Sequence, residues 1–263
     1  MIFKKLFGVA TKSRDQSRAQ EVINEVYQGR GNMDKRYPSD FSVDEIAQIE
    51  KVRLYTMTSS ERLVSLSRAI EYIHYNNIEG DMVECGVWKG GSMMLAANKL
   101  KSLNNTSKSL FLFDTFEGMS HPTDVDVTYE HNSAKELLEN QERNPEVANI
   151  WCYSTLEEVR ANLHSTGYPS EKIHFIKGKV EQTLPYGKIN TISLLRLDTD
   201  WYESTKHELE ILYDRLVSGG VLIIDDYGHW SGARKAVDEF IANRKLKLFL
   251  NRVDYTCRLA IKM

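Results

Sequence analysis

Two apolar runs in the last third of the chain each end in a pair of aspartates. TISLLRLDTD carries Asp198 and Asp200, and VLIIDDY carries Asp225 and Asp226. Short, nearly continuous apolar runs of this kind are typical of strands buried on both faces of a parallel sheet. Ligands of open α/β sheets bind just beyond the carboxyl ends of the strands. We therefore expect the four carboxylates to share one edge of a sheet.

The pattern of segments from residue 80 onward predicts the fold class. Strand-like and helix-like segments alternate, which predicts an α/β fold with a doubly wound, mostly parallel sheet. The last segment predicts a terminal antiparallel pair of strands. A helix over STKHELEILYDRLVSGG is predicted to stop at its glycines. The other predicted strands are DMVECGV, SLFLFDTF and KIHFIKGKV.

Two parts of the chain lie outside this alternation. Residues 1–60 are predicted to form an N-terminal helical extension, with one helix over SRAQEVINEVYQ, and residues 61–263 the main domain. Residues 118–150 are polar and break the pattern, so they are predicted to be an insertion that covers the site as a lid.

Composition limits the partners and the compartment. The 263 residues carry a net charge of -3 without a polybasic block, which argues against a nucleic-acid partner. The sequence has no apolar stretch of membrane-spanning or signal-peptide length. The three cysteines form no CxxC pair and no disulfide framework. These features predict a cytoplasmic protein with no membrane partner.

Four clustered carboxylates repel one another unless a cation or protons neutralise them. Oxygen ligands without a nearby Cys or His pair suit a hard divalent ion such as Mg²⁺. The pattern therefore favours a metal or acid–base site. A simpler reading exists for single residues, since Asp200 could cap the helix that begins near Ser204.

The turn after the first strand predicts a second ligand. DMVECGVWKGGS places Gly86, Gly90 and Gly91 between a strand and a helix, but the spacing is not the GxGxxG of dinucleotide sites. Exposed N–H groups of such a turn can bind a carboxylate. Asp114, at the end of the next strand, can accept hydrogen bonds from ribose hydroxyls. This set of groups matches S-adenosylmethionine.

Several motifs in this order resemble one enzyme family. ECGVWKGGS, FLFDTFEGM, LEEVRANL, KGKVEQTLP, LLRLDTDWYEST and GGVLIIDDY resemble the macrocin O-methyltransferase family, over about residues 50–257. The resemblance implies a class I, Rossmann-like methyltransferase fold. It also implies Mg²⁺-dependent methylation of a sugar hydroxyl in antibiotic biosynthesis, with S-adenosylmethionine as the cofactor. The acceptor would be a small glycosylated molecule or a sugar, and a homo-oligomer is expected because family members are often oligomeric.

The resemblance also implies roles for individual residues. Asp198, Asp225 and Asp226 would bind the metal, and Asp200 would be the general base beside Asp198. The family often has Gly at the position of Thr199 and Thr at that of Cys85. The residues expected at the cofactor are Thr56, Met57, Glu84, Gly86, Gly90, Ser92, Asp114, Phe116, Glu117 and Val180.

Two other functions are compatible with parts of the sequence. The D-T-D that ends an apolar strand resembles the DxD of metal-dependent glycosyltransferases, which predicts binding of UDP or GDP instead of S-adenosylmethionine. A non-catalytic methyltransferase-fold module would be expected to have lost the aspartates or the glycine turn. This sequence keeps both the aspartates and the turn. The acceptor sugar and the position of its hydroxyl stay open, with a macrolide, an aminocoumarin, a lipopolysaccharide sugar and a nucleotide sugar as candidates.

Overall fold

A computed structural model of the protein describes residues 37–144, 146 and 148–263. Contacts divide the chain after Ser42, and Val43–Met263 forms one compact unit. The helix predicted over residues 17–28 lies outside the described residues. Within the described residues, none of the helices combines the length and the apolar character needed to cross a lipid bilayer.

Seven strands form one sheet in the order β3-β2-β1-β4-β5-β7-β6. Neighbouring strands from β3 to β5 are parallel, and β7 runs antiparallel to both β5 and β6. The predicted doubly wound, mostly parallel sheet with a terminal antiparallel pair is therefore confirmed. The strands are β1 (Asp81–Cys85), β2 (Leu110–Asp114), β3 (Ile173–Lys177), β4 (Ile192–Leu197), β5 (Leu216–Ile224), β6 (Asn251–Arg252) and β7 (Arg258–Ile261).

Eight α-helices lie in the described part of the chain, and side-chain caps mark some of their starts. The Ser59 hydroxyl accepts the backbone N–H of Arg62 and caps α2, and Thr155 caps α5 in the same way. The helices are α1 (Val43–Val52), α2 (Ser60–Tyr75), α3 (Gly91–Ser102), α4 (Ala134–Glu139), α5 (Leu156–Ser165), α6 (Val180–Thr183), α7 (Tyr202–Leu212) and α8 (Ser231–Asn243).

The central strands form the core because helices cover both faces of the sheet. All six residues of β4 are buried, as are the last five of β5. One of the buried residues of β4 is Arg196, which is only 3% exposed. A buried guanidinium requires charged partners, and its partners lie in the site described below.

The predicted stop of α7 at its glycines is wrong. The helix ends at Leu212, a short 3-10 turn follows, and β5 begins at Leu216, so Gly219 and Gly220 belong to the strand. The register of β5 against β4 shifts here, because Ile192 pairs with Leu216 and Leu194 with Val221. The glycines therefore serve an irregularity in the strand instead of a helix end.

The insertion at residues 118–150 packs against the start of α7 and α8. Helix α4 joins Trp201, Trp230 and Ala233 in a small apolar cluster. Asp126 is 1% exposed, and its Oδ1 accepts the backbone N–H of Tyr202, the first residue of α7, at 2.8 Å. The insertion is thus anchored at the edge of the sheet where the strands β4 and β5 end.

Candidate active site

A cavity of about 530 Å³ opens at the carboxyl ends of the central strands. This volume lies within the range of small-molecule sites, roughly 300–1,000 Å³. It brings together ten of the residues expected at the site, which are Thr56, Met57, Gly86, Ser92, Asp114, Val180, Asp198, Asp200, Asp225 and Asp226. Residues far apart in sequence therefore meet at the edge predicted from the strand ends.

Close contact between β1 and β4 sets the geometry of this edge. The Asp198 N–H donates to the Cys85 carbonyl at 2.8 Å, and the Asp225 N–H donates to the Leu197 carbonyl at 2.9 Å. Gly86 follows β1 with φ +82°, and a Cβ at this position would lie 2.0 Å from the Asp198 carbonyl oxygen. Glycine is therefore required here, both for the positive φ and for the close approach of the segments that follow β1 and β4.

Four carboxylates, here called the acidic cluster (Asp198, Asp200, Asp225 and Asp226), form the floor of the cavity. One oxygen from each of Asp198, Asp225 and Asp226 lies within 4.8 Å of the others. Asp225 and Asp226 are buried, whereas the Asp198 side chain is 28% exposed. The three carboxylates that were expected to bind a metal thus converge on one point.

Two arginines partly neutralise the acidic cluster. Arg196 donates to Glu84 at 2.7 Å, to Asp198 at 2.7 Å and to Asp225 at 2.8 Å. Arg62 donates to the other oxygen of Asp225 and forms an ion pair with Asp254 at 3.0 Å. Glu84, which was expected at the cofactor, therefore acts as a buried partner of Arg196 beneath the site.

The two arginines do not balance all the carboxylates, and the pKa values of the acidic cluster reflect the remaining negative charge. Burial raises the pKa of Asp198 and Asp226 well above the usual range, and neighbouring carboxylates add to the effect in both. Burial also raises the pKa of Asp200 to about 7, against a hydrogen bond with Asp226 that lowers it. A cation would remove this penalty. The all-oxygen donor set and its uncompensated charge fit a hard divalent ion.

Asp200 lies in a strained turn and does not cap α7. Its φ of +65° is in the left-handed region, and its N–H donates to Asp226 Oδ2 at 3.2 Å. Trp201 occupies the cap position of α7, and the first helical N–H bonds to Asp126 instead. The alternative in which Asp200 caps this helix is therefore wrong. Non-glycine residues in this conformation often occur at functional sites.

Glu208 stabilises the turn between Asp198 and Asp200 through a hydrogen bond. The Thr199 hydroxyl donates to Glu208 Oε1 at 3.0 Å, and Glu208 is fully buried. Its Oε2 has no partner among the described residues. Burial raises the pKa of Glu208 well above its usual range. The buried carboxyl of Glu208 thus supports the turn that carries two members of the acidic cluster.

The expected cofactor residues form the other side of the cavity. Asp114 Oδ2 accepts the backbone N–H groups of Val87 at 2.7 Å and Trp88 at 3.2 Å, and its Oδ1 accepts that of Phe116 at 2.7 Å. Asp114 therefore fixes the turn after β1 as well as facing the cavity. Burial raises its pKa, and these backbone donors oppose the rise.

Four of the expected site residues do not line the cavity. Glu84 lies beneath it, as described above, and Gly90 is the residue before α3. Phe116 is buried and contacts Phe175 edge-on, with ring centroids 6.5 Å apart. Glu117 is exposed and forms an ion pair with Lys177 at 2.8 Å.

The sequence analysis did not identify the two arginines. One signal was available, since Arg196 interrupts the apolar run ISLLRL that precedes the aspartates. A charged residue in a strand buried on both faces needs a partner of opposite charge. Arg62 gave no comparable signal, because it lies on an amphipathic helix where an arginine is ordinary.

Comparison with known proteins gives a consistent result. The family model described as macrocin-O-methyltransferase (TylF) matches residues 5–260. Demethyldecarbamoylnovobiocin O-methyltransferase from Streptomyces niveus is 30% identical over 237 residues, which are 87% of each chain. A tetracenomycin 4'-O-methyltransferase from Streptomyces olivaceus, whose substrate name includes a dimethoxy-rhamnosyl group, is 32% identical over 77% of this chain and 73% of its own.

A solved structure agrees with these relatives. The structure of the O-methyltransferase NovP shares 30% of its sequence with this chain, with a TM-score of 0.66, and the match covers 79% of this chain and 82% of that one. The two relatives and this structure are all named as O-methyltransferases. The chain belongs to the macrocin O-methyltransferase family and is an O-methyltransferase.

Proposed function

We propose that the protein transfers the methyl group of S-adenosylmethionine to a sugar hydroxyl of a natural product or glycan, in a Mg²⁺-dependent reaction. The observation that carries this proposal is the convergence of the acidic cluster with the Gly86 turn and Asp114 around one cavity. The names of its relatives describe O-methyltransferases that act on antibiotics, and one name includes the sugar.

The cofactor would occupy the side of the cavity at the ends of β1 and β2. Asp114 and the backbone after Gly86 line this side, together with Thr56, Met57 and Val180. The carboxylate of Asp114 would accept hydrogen bonds from ribose hydroxyls, as it accepts backbone N–H groups in the structure. The cofactor supplies an electrophilic methyl group on a sulfonium.

Asp198, Asp225 and Asp226 would hold the metal. A bound divalent ion stabilises negative charge that develops on a neighbouring oxygen. Arg196 and Arg62 orient two of these carboxylates, because they bind Asp198 and Asp225 from the protein side. The buried Arg196 and the half-buried Arg62 thus preorganise two of the carboxylates.

Asp200 would remove the proton of the acceptor hydroxyl. It lines the cavity next to the converging carboxylates, and its turn directs it away from the helix that follows. A general base must lie within hydrogen-bond reach of the proton it accepts. The remaining contribution of the chain is to hold the hydroxyl in line with the methyl group.

Calorimetry on the full chain tests the two binding parts of this proposal. S-adenosylhomocysteine should bind with a stoichiometry of about one. Mg²⁺ should bind, and Asp226→Asn should weaken its binding. Asp226 suits this test because asparagine there can still accept the N–H of Asp200. A change at Asp225 would also remove a partner of both arginines.

The control and the failure criteria are direct. Asp44→Asn, in the exposed first turn of α1, should leave both affinities unchanged. Absence of S-adenosylhomocysteine binding would refute the methyl-transfer proposal. Full methyl transfer in EDTA would show that the carboxylates act without a metal.

A further inference from the structure

Arg62, in the first turn of α2, links one member of the acidic cluster to a carboxylate outside it. Its guanidinium donates to Asp225 Oδ2, and its Nε lies 3.0 Å from Asp254 Oδ2. The Arg62 side chain lines the cavity and is 15% exposed. Asp225 and Asp254 thus share one positive charge at the floor of the cavity.

Arginines bind both oxygens of Asp225. Its Oδ1 accepts a hydrogen bond from Arg196 at 2.8 Å, and its Oδ2 accepts one from Arg62. Asp225 nevertheless contributes an oxygen to the group of three carboxylates that lie within 4.8 Å of one another. A divalent ion held by that group would therefore lie close to a guanidinium, and like charges at such short range repel each other strongly. One of the two arginines has to yield when the ion binds.

Arg196 is held too firmly to be the arginine that yields. It belongs to the buried strand β4 and is only 3% exposed. It also donates to Glu84 at 2.7 Å, to Asp198 at 2.7 Å and to the Thr58 hydroxyl at 3.2 Å. Moving Arg196 would leave the buried Glu84 without its charged partner, which is strongly unfavourable.

Arg62 has a second acceptor that stays in place. Asp254 Oδ1 accepts two backbone N–H groups of the loop before β7, at 2.8 and 2.9 Å, and its Oδ2 accepts the Ser59 hydroxyl at 2.8 Å. These bonds fix the Asp254 carboxylate outside the acidic cluster. Arg62 can therefore release Asp225 and keep an ion pair, because its Nε already lies against Asp254.

We infer that Arg62 and the divalent ion compete for Asp225, so that Arg62 neutralises this carboxylate in the metal-free protein and pairs with Asp254 alone once the ion binds. This inference rests on the proposed metal site. The exchange keeps both oxygens of the buried Asp225 paired with cations in either state, which avoids an uncompensated buried charge. It also lowers the affinity for the ion, because Arg62 must be displaced before the ion can bind Asp225.

Calorimetric titration of Mg²⁺ into the full chain tests this competition, because Arg62→Gln removes the competing charge. A neighbouring charge changes the affinity of a carboxylate for a proton by about 10- to 1,000-fold, so we expect Mg²⁺ to bind this variant at least about tenfold more tightly. If Arg62 only orients Asp225, the variant should bind Mg²⁺ no better than wild type. Arg68→Gln is the matched control and should leave the affinity unchanged, since Arg68 lies on the same helix and pairs with Glu45 at 2.7 Å.

Asp254→Asn separates direct competition from a general effect of charge. Asparagine keeps an acceptor for the backbone N–H groups, but the ion pair with Arg62 is lost. Arg62 then loses its second carboxylate, so Mg²⁺ binding should weaken by about tenfold. In the Arg62→Gln background, Asp254→Asn should change the affinity by less than about twofold. A general electrostatic effect would instead weaken binding equally in both backgrounds.

A measurement on the wild-type chain tests the inference even if a variant fails to fold. The guanidinium NMR signals of Arg62, assigned from the backbone, should shift when Mg²⁺ binds. Those of Arg68 should stay unchanged, because Glu45 remains its partner.

Three results would overturn the inference while the proposed metal site stood. These are Mg²⁺ binding by Arg62→Gln that is no tighter than wild type, an equal effect of Asp254→Asn in both backgrounds, and unchanged Arg62 signals in wild-type protein saturated with Mg²⁺. Absence of Mg²⁺ binding in wild type and in Arg62→Gln alike would instead refute the proposed metal site, and the inference with it.

Discussion

Replacing Asp200 by asparagine tests the proposed general base with little disturbance of the fold. Asp200 has φ +65°, a conformation that asparagine adopts more readily than most other residues. Its backbone N–H donates to Asp226, a contact that the substitution keeps. The side chain of Asp200 also hydrogen-bonds Asp226, and the amide of asparagine can replace that bond. The helix that follows is capped through Asp126, so α7 should not be affected.

The magnitude follows from the chemistry of proton removal. Asparagine accepts no proton at neutral pH, and loss of a general base lowers turnover by about 10²–10⁴-fold. That range corresponds to about 3–5 kcal/mol of activation free energy. The free energy of unfolding, in contrast, should rise in the variant above pH 7. Burial raises the pKa of Asp200 to about 7, so its ionised form is unfavourable in the fold, and a neutral amide removes that penalty.

Three measurements separate the base from a structural role. Turnover should fall, whereas the affinity for S-adenosylhomocysteine and the melting temperature should stay at or above the wild-type values. Asp44→Asn serves as the control for the charge change, because Asp44 is exposed on α1. A folded Asp200→Asn enzyme with near-normal turnover would refute the reasoning and assign the proton to Asp198, to a histidine such as His229, or to the metal alone.

Four further predictions address the rest of the site. Asp114→Ala should weaken S-adenosylhomocysteine binding by about 1.5–3 kcal/mol in calorimetry, since hydrogen bonds to a charged acceptor are lost, and an unchanged affinity would remove Asp114 from the cofactor site. Thr199→Val removes the hydroxyl that donates to Glu208, so it should cost about 1–3 kcal/mol of stability in urea unfolding and lower kcat more than KM. Glu208→Gln keeps an acceptor for Thr199 and should retain activity. Equal activity of the two variants would contradict this role of the hydrogen bond. The raised pKa values of Asp198, Asp200 and Asp226 mean that the metal-free fold binds more protons than the unfolded chain, so its stability falls as pH rises from about 4 through about 7. Saturating Mg²⁺ should therefore raise Tm more at pH 8 than at pH 6, and an equal rise at both would count against a metal at these carboxylates. Hydrogen exchange in residues 118–150 should slow when cofactor and acceptor bind together, and the lid prediction fails if the rate is the same in both states.

The parts of the site that local sequence determines were predictable. An apolar run followed by aspartates indicates both a buried strand and a carboxylate at its end, so the convergence of Asp198, Asp225 and Asp226 could be expected from two short segments. The mostly parallel sheet with a terminal antiparallel pair also followed from the alternation of strand-like and helix-like segments.

The remaining features depend on contacts between distant segments. Arg62 reaches Asp225 from a helix 163 residues away in sequence, and no local pattern specifies that approach. The ring contacts of His229 with Tyr129 and Tyr255 likewise join the loop after β5 to the insertion and to the loop before β7. The resemblance implied a cofactor role for Glu84, and no pattern in the sequence indicated that its side chain accepts a hydrogen bond from Arg196.

The buried carboxylate of Asp126 has a consequence for how members of such a family can exchange parts. A Cβ on Gly232, in the first turn of α8, would lie 1.9 Å from Asp126 Oδ1. The insertion and the start of α8 can thus pack together because position 232 has no side chain. A chimera that takes residues 118–150 from another protein would have to carry a compatible residue at position 232, and one that takes α8 would have to carry a compatible residue at position 126. Natural recombination of the acceptor-facing segment should therefore be constrained to move these two distant positions together.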